Sequence, residues 1–335
     1  MTNSETAMRH PAVRVAALCG VVLLAACGST TASTSASTAT RSAEATTASP
    51  SATATASAAA AIVNTWSGVT VDPKALPLGD SRVSTTAAAV GSIFACQPGD
   101  PNGGGAFKDG PWINAAAGTW DSTTKVSVSG TVSWPTAAYT ETVNGASRYI
   151  TSHGVPVKQV SGTFPIPSTD DAYNYDRNPN HIAERKIAIA LPSAPRAATT
   201  TSCLPAGAVG ILRNGVVLFA SLDQLNRDAV AHETQDVCEG HPEQTSTYHY
   251  HNVPNCIVNA AMGSSTVVGF ATDGFPIVVE RDAKGNLPTN ADLDKCHGRT
   301  SPITLDGAVV SMYHYSATLE FPYMMGCLTG TSALK

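Results

Sequence analysis

The chain is 335 residues long, only 13% of them charged, with a formal net charge of −5 at pH 7. A balance of this sign leaves no basic footprint for phosphate contacts and excludes a nucleic-acid binder. About 270 residues follow position 61, enough for one large domain or two small ones.

Met1 to Arg14 is a polar start carrying Arg9 and Arg14, and Val15 to Ala26 is an apolar run. That run is far shorter than the roughly 20 residues a membrane span needs. It closes with Leu24-Ala25-Ala26-Cys27-Gly28, small residues before a Cys, which resembles a bacterial lipobox. The resemblance implies a lipoprotein signal peptide over residues 1–26 and lipid on Cys27. The exported protein is then anchored to the outer face of the bacterial cell membrane. Gly28 to Ala61 is almost entirely Ser, Thr and Ala, broken by Arg41, Glu44 and Pro50. Such a segment has too little apolar bulk to offset its ordering entropy, so residues 27–61 are expected to form a flexible stalk beneath a globular domain over 62–335. Loss of residues 1–26 removes Arg9, Arg14 and Glu5, leaving 18 positive against 24 negative groups, a balance of −6.

Within the domain Gly and Pro punctuate the chain every ten residues or so, and long helical periodicity is scarce. Lys125 to Trp134 alternates and predicts a strand. Arg185 to Leu191 alternates before Pro192. Val209–Leu212 and Val216–Phe219 flank Asn214-Gly215, a hairpin signal. Asp223 to Glu233 predicts a short helix. Thr266–Phe270 and Phe275–Val279 flank Thr272-Asp273-Gly274, a second turn between strands. Asn290 to Asp294 predicts a capped single turn, and Val309 to Tyr315 a last strand. The expected fold is mainly β, an antiparallel sandwich or meander with few short helices.

Six cysteines lie beyond Cys19 and Cys27: Cys96, Cys203, Cys238, Cys256, Cys296 and Cys327. An even number in an exported protein points to disulfides, and six allow fifteen connectivities. Local order favours Cys238–Cys256 and Cys296–Cys327, with Cys96–Cys203 following by elimination. A thiolate metal site is the alternative, but the chain has no C-x-x-C pair.

Tyr248-His249-Tyr250-His251 carries the most chemistry. On a pleated strand the two imidazoles share one face and the two phenols the other. Two imidazoles at i and i+2 can reach one metal ion at roughly 2.0–2.1 Å each; the structural alternative is an aromatic core strand whose histidines bond to backbone. The stretch has an echo. Asp236-Val237-Cys238-Glu239-Gly240-His241-Pro242 precedes it and Cys256 closes it. Asp294-Lys295-Cys296-His297-Gly298 precedes Tyr313-His314-Tyr315-Ser316, which Cys327 closes. Each half offers Asp-x-Cys, a His close behind or within, a Tyr-His-Tyr strand and a closing Cys, although the spacings differ.

With these residues in hand, the chain resembles the YHYH protein family. The resemblance runs from about residue 144 to 330. It rests on Gly162-Thr163-Phe164-Pro165, Tyr175 to Asn180, Asn214-Gly215-Val216, Gly240-His241-Pro242, Tyr248 to His251, Gly269 to Phe275 and Phe321 to Cys327. It implies a secreted or surface-anchored bacterial protein and brings no established reaction. Ser316 stands where another His often follows the Tyr, and Cys296-His297-Gly298-Arg299 replaces a more usual Cys-Asn-Gly-His.

Eight histidines follow the stalk, and five of them, His241, His249, His251, His297 and His314, lie in the Cys-bounded halves. They are the candidate metal ligands, with Asp236, Glu239, Asp273, Asp294 and Glu320 as carboxylates to orient them. Imidazole suits copper and zinc equally; Met312, Met324 and Met325 would favour Cu(I) but also serve as core filler. A metal-dependent hydrolase is a second reading, with Glu239 or Glu320 as general base. His232-Glu233 begins like a zincin helix, but Asp236 occupies the i+4 position. No G-x-S-x-G elbow is present, and Asp170, Asp171, Asp176 and Asn178 lack EF-hand spacing. A third reading is a non-catalytic envelope module that contacts glycan or protein through exposed Tyr and Trp, with Trp112, Trp120 and Trp134 as candidates.

Overall fold

The computed structural model describes residues 66–334. The expected signal peptide over residues 1–26, the expected lipid site at Cys27 and the expected stalk over 27–61 lie outside the described residues.

The larger strands are β1 (Tyr139–Asn144), β2 (Ser147–Ser152), β3 (Ile187–Pro192), β4 (Ala208–Leu212), β5 (Val217–Phe219), β6 (Gly240–Pro242), β7 (Tyr248–Tyr250), β8 (Ser265–Ala271), β9 (Pro276–Glu280), β10 (Gly298–Leu305) and β11 (Ala308–Ser316). Two helices of one turn, α1 (Ala229–His232) and α2 (Asn255–Val258), join them. The fold is mainly β. Its centre is an eight-stranded sheet in the order β6-β7-β5-β4-β8-β9-β11-β10. β3, β2 and β1 form a second antiparallel sheet. Ile150 of β2 and Leu191 of β3 pack with Ile211, Phe270, Val278 and Ile303 of the large sheet, so the two sheets share one apolar layer. The other side of the large sheet holds the bigger core, with Tyr248, Tyr250, Tyr315, Phe321 and Tyr323 inside it. Trp112 and Trp120 belong to that core as well, 3% and 4% exposed, and offer no surface to a partner.

The strand order reads as the same unit twice. β4 and β5 make a hairpin, and β7 of a second hairpin lies parallel to β5. β8 and β9 make the corresponding hairpin, and β11 lies parallel to β9. The halves meet across β4 and β8, where Gly210 faces Ala271, Ile211 faces Phe270 and Leu212 faces Gly269. This pairing is centred on Ile211 and Phe270, as a local two-fold requires. The parallel pairs are the departure from an all-antiparallel sheet. Each closes a long connection, and a disulfide ties that connection to the chain beyond the parallel strand, Cys238–Cys256 in one half and Cys296–Cys327 in the other. Cys96–Cys203 is the third disulfide.

Two sequence expectations are corrected. Lys125 to Trp134 is not one strand: Val128 makes an isolated bridge to Asp236, and only Val132–Ser133 pairs further on, with Val160–Ser161. Gly130 lies between them at φ +131°, a turn open to glycine, and the Lys125 ammonium turns inward to the Val230 carbonyl, 2.5 Å away. Asp223 to Glu233 is helical only from Ala229 to His232. The Asp223 carboxylate accepts from the backbone N–H of Leu225 and Arg227 at 2.9 and 2.7 Å, a side-chain turn that competes with the helix. The β1–β2 hairpin, missing from the expected elements, turns at Gly145, φ +58°.

Candidate functional site

The central site is built on β6 and β7. Their antiparallel register sets His241 directly opposite His249. His251 follows two residues later on the face of His249, as the pleat requires. Tyr248 and Tyr250 point the other way and are fully buried in the core, where the Tyr248 hydroxyl donates to Asp236 at 2.8 Å and that of Tyr250 accepts from Asn214 at 2.9 Å. The result is three buried imidazoles, each with a potential ligand atom within 4.8 Å of the others.

The backbone fixes which nitrogens face one another. His249 Nδ1 lies 3.1 Å from the Thr247 carbonyl, and His251 Nδ1 lies 2.5 Å from that of Ala220. A carbonyl only accepts, so both Nδ1 atoms carry their protons and donate. The two Nε2 atoms then meet at 3.1 Å. Burial holds His249 down to about 4; burial, with the charge of His249, holds His251 down to about 3. At neutral pH both rings are therefore neutral, and two lone pairs face each other with no proton between them. Two ligands on one ion at 2.0–2.1 Å, 90–110° apart, would lie about 2.9–3.4 Å from each other. His241 has neither ring nitrogen satisfied. Burial, then the charges of His249 and His251, push it well below the usual histidine range.

A carboxylate completes the group. Glu233, at the C-terminal end of α1, brings Oε2 to 3.4 Å from His251 Nε2 and 3.6 Å from His241 Nε2. That oxygen is buried without a hydrogen-bond partner. Burial, reinforced by Asp223 and Asp176, raises the Glu233 carboxyl well above its ordinary range. Its neighbour His232 turns the opposite way, between Asp80 at 2.9 Å and Asp109 at 3.0 Å. The sequence reading missed Glu233. The available signal was the pair His232-Glu233, which fails as a zincin helix yet still delivers its glutamate to the imidazoles. Of the expected carboxylates, Asp236 braces the turn before β6, and Glu239 is held by Asn252 and Asn255.

The three imidazoles and Glu233 open into a cavity of about 1050 Å³. The Phe219 ring stacks on His249 at 4.1 Å and forms part of the wall. Gly105 passes over Glu233 at φ +138°, where an added Cβ would lie 3.4 Å from Glu233 Oε1. Neither Glu239 nor Glu320 lines this cavity.

His314 and His297 do not join the cluster; the second half explains why. Matched through the strand pairings, Tyr248, His249, Tyr250 and His251 correspond to Tyr313, His314, Tyr315 and Ser316, and His241 corresponds to Arg299. The turn before β6 has its counterpart too. Asp236 accepts from the N–H of Cys238 and Gly240, and Asp294 from those of Cys296 and Gly298. Glu239 and His297 hold the same place in these turns, both left-handed, at φ +60° and +69°. Gly240 and Gly298 are glycines because a Cβ would collide with the Tyr248 or Tyr313 ring. Even the imidazole anchor recurs: His314 Nδ1 meets the Met312 carbonyl at 3.1 Å. The difference is at the centre. Glu280, 1% exposed, takes up the donors of this half: Arg299 at 2.8 Å, His314 Nε2 at 3.2 Å and Ser316 Oγ at 2.6 Å. Burial alone would raise Glu280, but the bond and charge of His314, then the charge of Arg299, hold it down to about 2. His297 bonds Thr318 Oγ1 at 2.9 Å. One half presents open ligands; the other is closed by its own ion pair.

Residues 188–289 match the family model described as YHYH protein. This segment is a YHYH domain. The match takes in β3 to β9 and every residue of the three-histidine site. It is narrower than the expected span and leaves out Gly162 to Pro165, Tyr175 to Asn180 and Phe321 to Cys327. No curated protein and no solved structure matches the chain.

Two outcomes are expected. Burial also holds His297 down to about 3, so between that value and about 6.5 the unfolded chain binds a proton the native chain does not. Stability therefore rises with pH across this window and is lost as the pH falls from about 6.5. In metal-free protein, His297→Gln should flatten the stability–pH slope between about pH 6 and 4 by up to about 1.4 kcal/mol per pH unit. Urea midpoints taken at each pH check this, and an unchanged slope counts against a neutral ring. Arg299→Met leaves His314 as the one remaining charged partner of buried Glu280 and should cost up to about 3–5 kcal/mol. Adding Glu280→Gln should recover most of that loss in chemical denaturation.

Proposed function

We propose that the YHYH domain binds a single copper or zinc ion through His241, His249 and His251, with Glu233 beside them. The observation that carries this reading is the pair of Nε2 lone pairs facing each other at 3.1 Å, their protons committed to backbone carbonyls on the far side. Only a cation between them turns this contact into an attraction. Carbonyl acceptors behind ligand imidazoles are the usual means of fixing tautomer and ring direction. Three imidazoles and a carboxylate suit zinc or Cu(II) alike. Met312, Met324 and Met325 are absent from the cavity lining, so Cu(I) gains no thioether support there.

An ion held this way supplies Lewis acidity at the floor of the cavity. The hydrolytic reading draws support from Glu233, whose Oε2 is unpartnered beside the imidazoles; the general base is then Glu233 rather than Glu239 or Glu320. We also infer that the domain works outside the cytoplasm, tethered to the cell membrane through lipid on Cys27. The sequence around Cys27 and the three disulfides support this. Among the described residues no helix is long and apolar enough to cross a membrane.

Elemental analysis after loading with Cu(II) or Zn(II) and removal of free ion should find one ion per chain. It should fall to background in His249→Ala/His251→Ala while the far-UV spectrum holds. Absence of a stoichiometric ion in the unaltered protein rejects the site. Cys27→Ser should move the protein from the membrane fraction to the soluble exported fraction; retention at the membrane would reject the lipid anchor.

A further inference from the structure

We propose that the cavity above the three imidazoles is a binding site for a neutral saccharide. This rests on the metal reading to the extent that the ion forms the cavity floor. The volume, about 1050 Å³, lies at the upper end of the range for small-molecule sites and admits more than one sugar ring.

The lining separates into committed and uncommitted groups. Apart from Glu233 at the floor, its carboxylates accept internal hydrogen bonds. Asp223 pairs with Arg227 at 2.8 Å, Asp176 accepts from the Thr234 N–H at 3.1 Å, and Asp100 and Glu243 accept from the N–H of Asn102 and Thr245. The side-chain amides of Gln97, Asn102 and Gln244, all exposed, and of half-buried Asn180 also line the cavity, and none is tied to a protein partner among the described residues. Each such amide offers two donors and an acceptor, the complement of a hydroxyl group, which both donates and accepts.

Charge narrows the class further. An anion would enter past Asp100, Asp176, Asp223 and Glu243, which outnumber the single lining guanidinium, Arg177, and the one ion at the floor. That guanidinium is stacked on Phe107 at 4.4 Å. A cationic ligand would meet carboxylates already bonded internally and, at the floor, the bound ion. A neutral hydroxylated ligand meets neither obstacle. Phe219, half-buried in the wall, supplies an aromatic surface for the C–H face of a sugar ring. A peptide would seek an unpaired strand edge, but the edge at this cavity is β6, where Pro242 has no N–H to donate.

The test uses metal-loaded protein on an array of neutral, sialylated and sulfated oligosaccharides, with calorimetric titration of chitotriose and maltotriose. Binding is expected for neutral glycans. Asn180→Ala and Gln97→Ala should each weaken it about 3- to 10-fold, the loss of one or two net hydrogen bonds, with metal content unchanged. The proposal is overturned if neutral glycans give no signal or if acidic glycans bind more tightly. It is equally overturned if spermine or an unstructured neutral peptide displaces the sugar from the cavity, or if neither substitution alters affinity. Metal content measured on the same samples separates the two readings. An ion retained without glycan binding sinks this proposal alone, and glycan binding without a retained ion sinks the metal reading alone.

Discussion

The Asp236 carboxylate is the constraint on which the site depends. It is 1% exposed and accepts four hydrogen bonds, from the backbone N–H of Gly162, Cys238 and Gly240 and from the Tyr248 hydroxyl. Those bonds hold the turn that lays β6 against β7, and so place His241 opposite His249. The Cys238–Cys256 disulfide clamps the same turn to the chain just beyond His251. An imidazole cluster with unsatisfied nitrogens does not assemble itself, because each ring gives up hydration on burial. Here the cost is borne by a rigid turn and by tyrosines packed on the opposite face of the strand.

The second half shows what the same scaffold does without open ligands. Asp294 repeats the bracing role of Asp236, accepting from Cys296, Gly298 and the Tyr313 hydroxyl. With Arg299 and Ser316 in place of two imidazoles, the centre closes on Glu280. A buried ion pair whose carboxylate accepts from Arg299, His314 and Ser316 serves the fold. Three neutral imidazoles beside an unpartnered carboxyl oxygen leave buried polar atoms without partners. The contrast within one sheet argues that the open half is open for use, since the scaffold has a closed solution available.

Much of this was legible in the chain. Alternation over Tyr248 to His251 assigned the phenols to one face and the imidazoles to the other, because strand geometry is local and has a period of two. Asn214-Gly215 and Asp273-Gly274 marked the two central hairpins for the same reason. The paired Asp-x-Cys segments announced the duplication. Other features were not legible. His314 is as well placed in sequence as His249, yet its Nε2 is taken by Glu280, 34 residues away. Glu233 neighbours His232 in sequence but not the Tyr-His-Tyr-His stretch, and it reaches the three imidazoles while Asp80 and Asp109 hold His232 on the other side.

The sequence by itself determined which side chains could carry the chemistry, which faces they would occupy and where the chain would turn, since these follow from dihedral preferences and side-chain period within a few residues. Tertiary structure alone decided which imidazoles remain free. That choice depends on whether a distant carboxylate, carbonyl or guanidinium arrives at the same point, and on burial strong enough to keep the rings neutral once they have met.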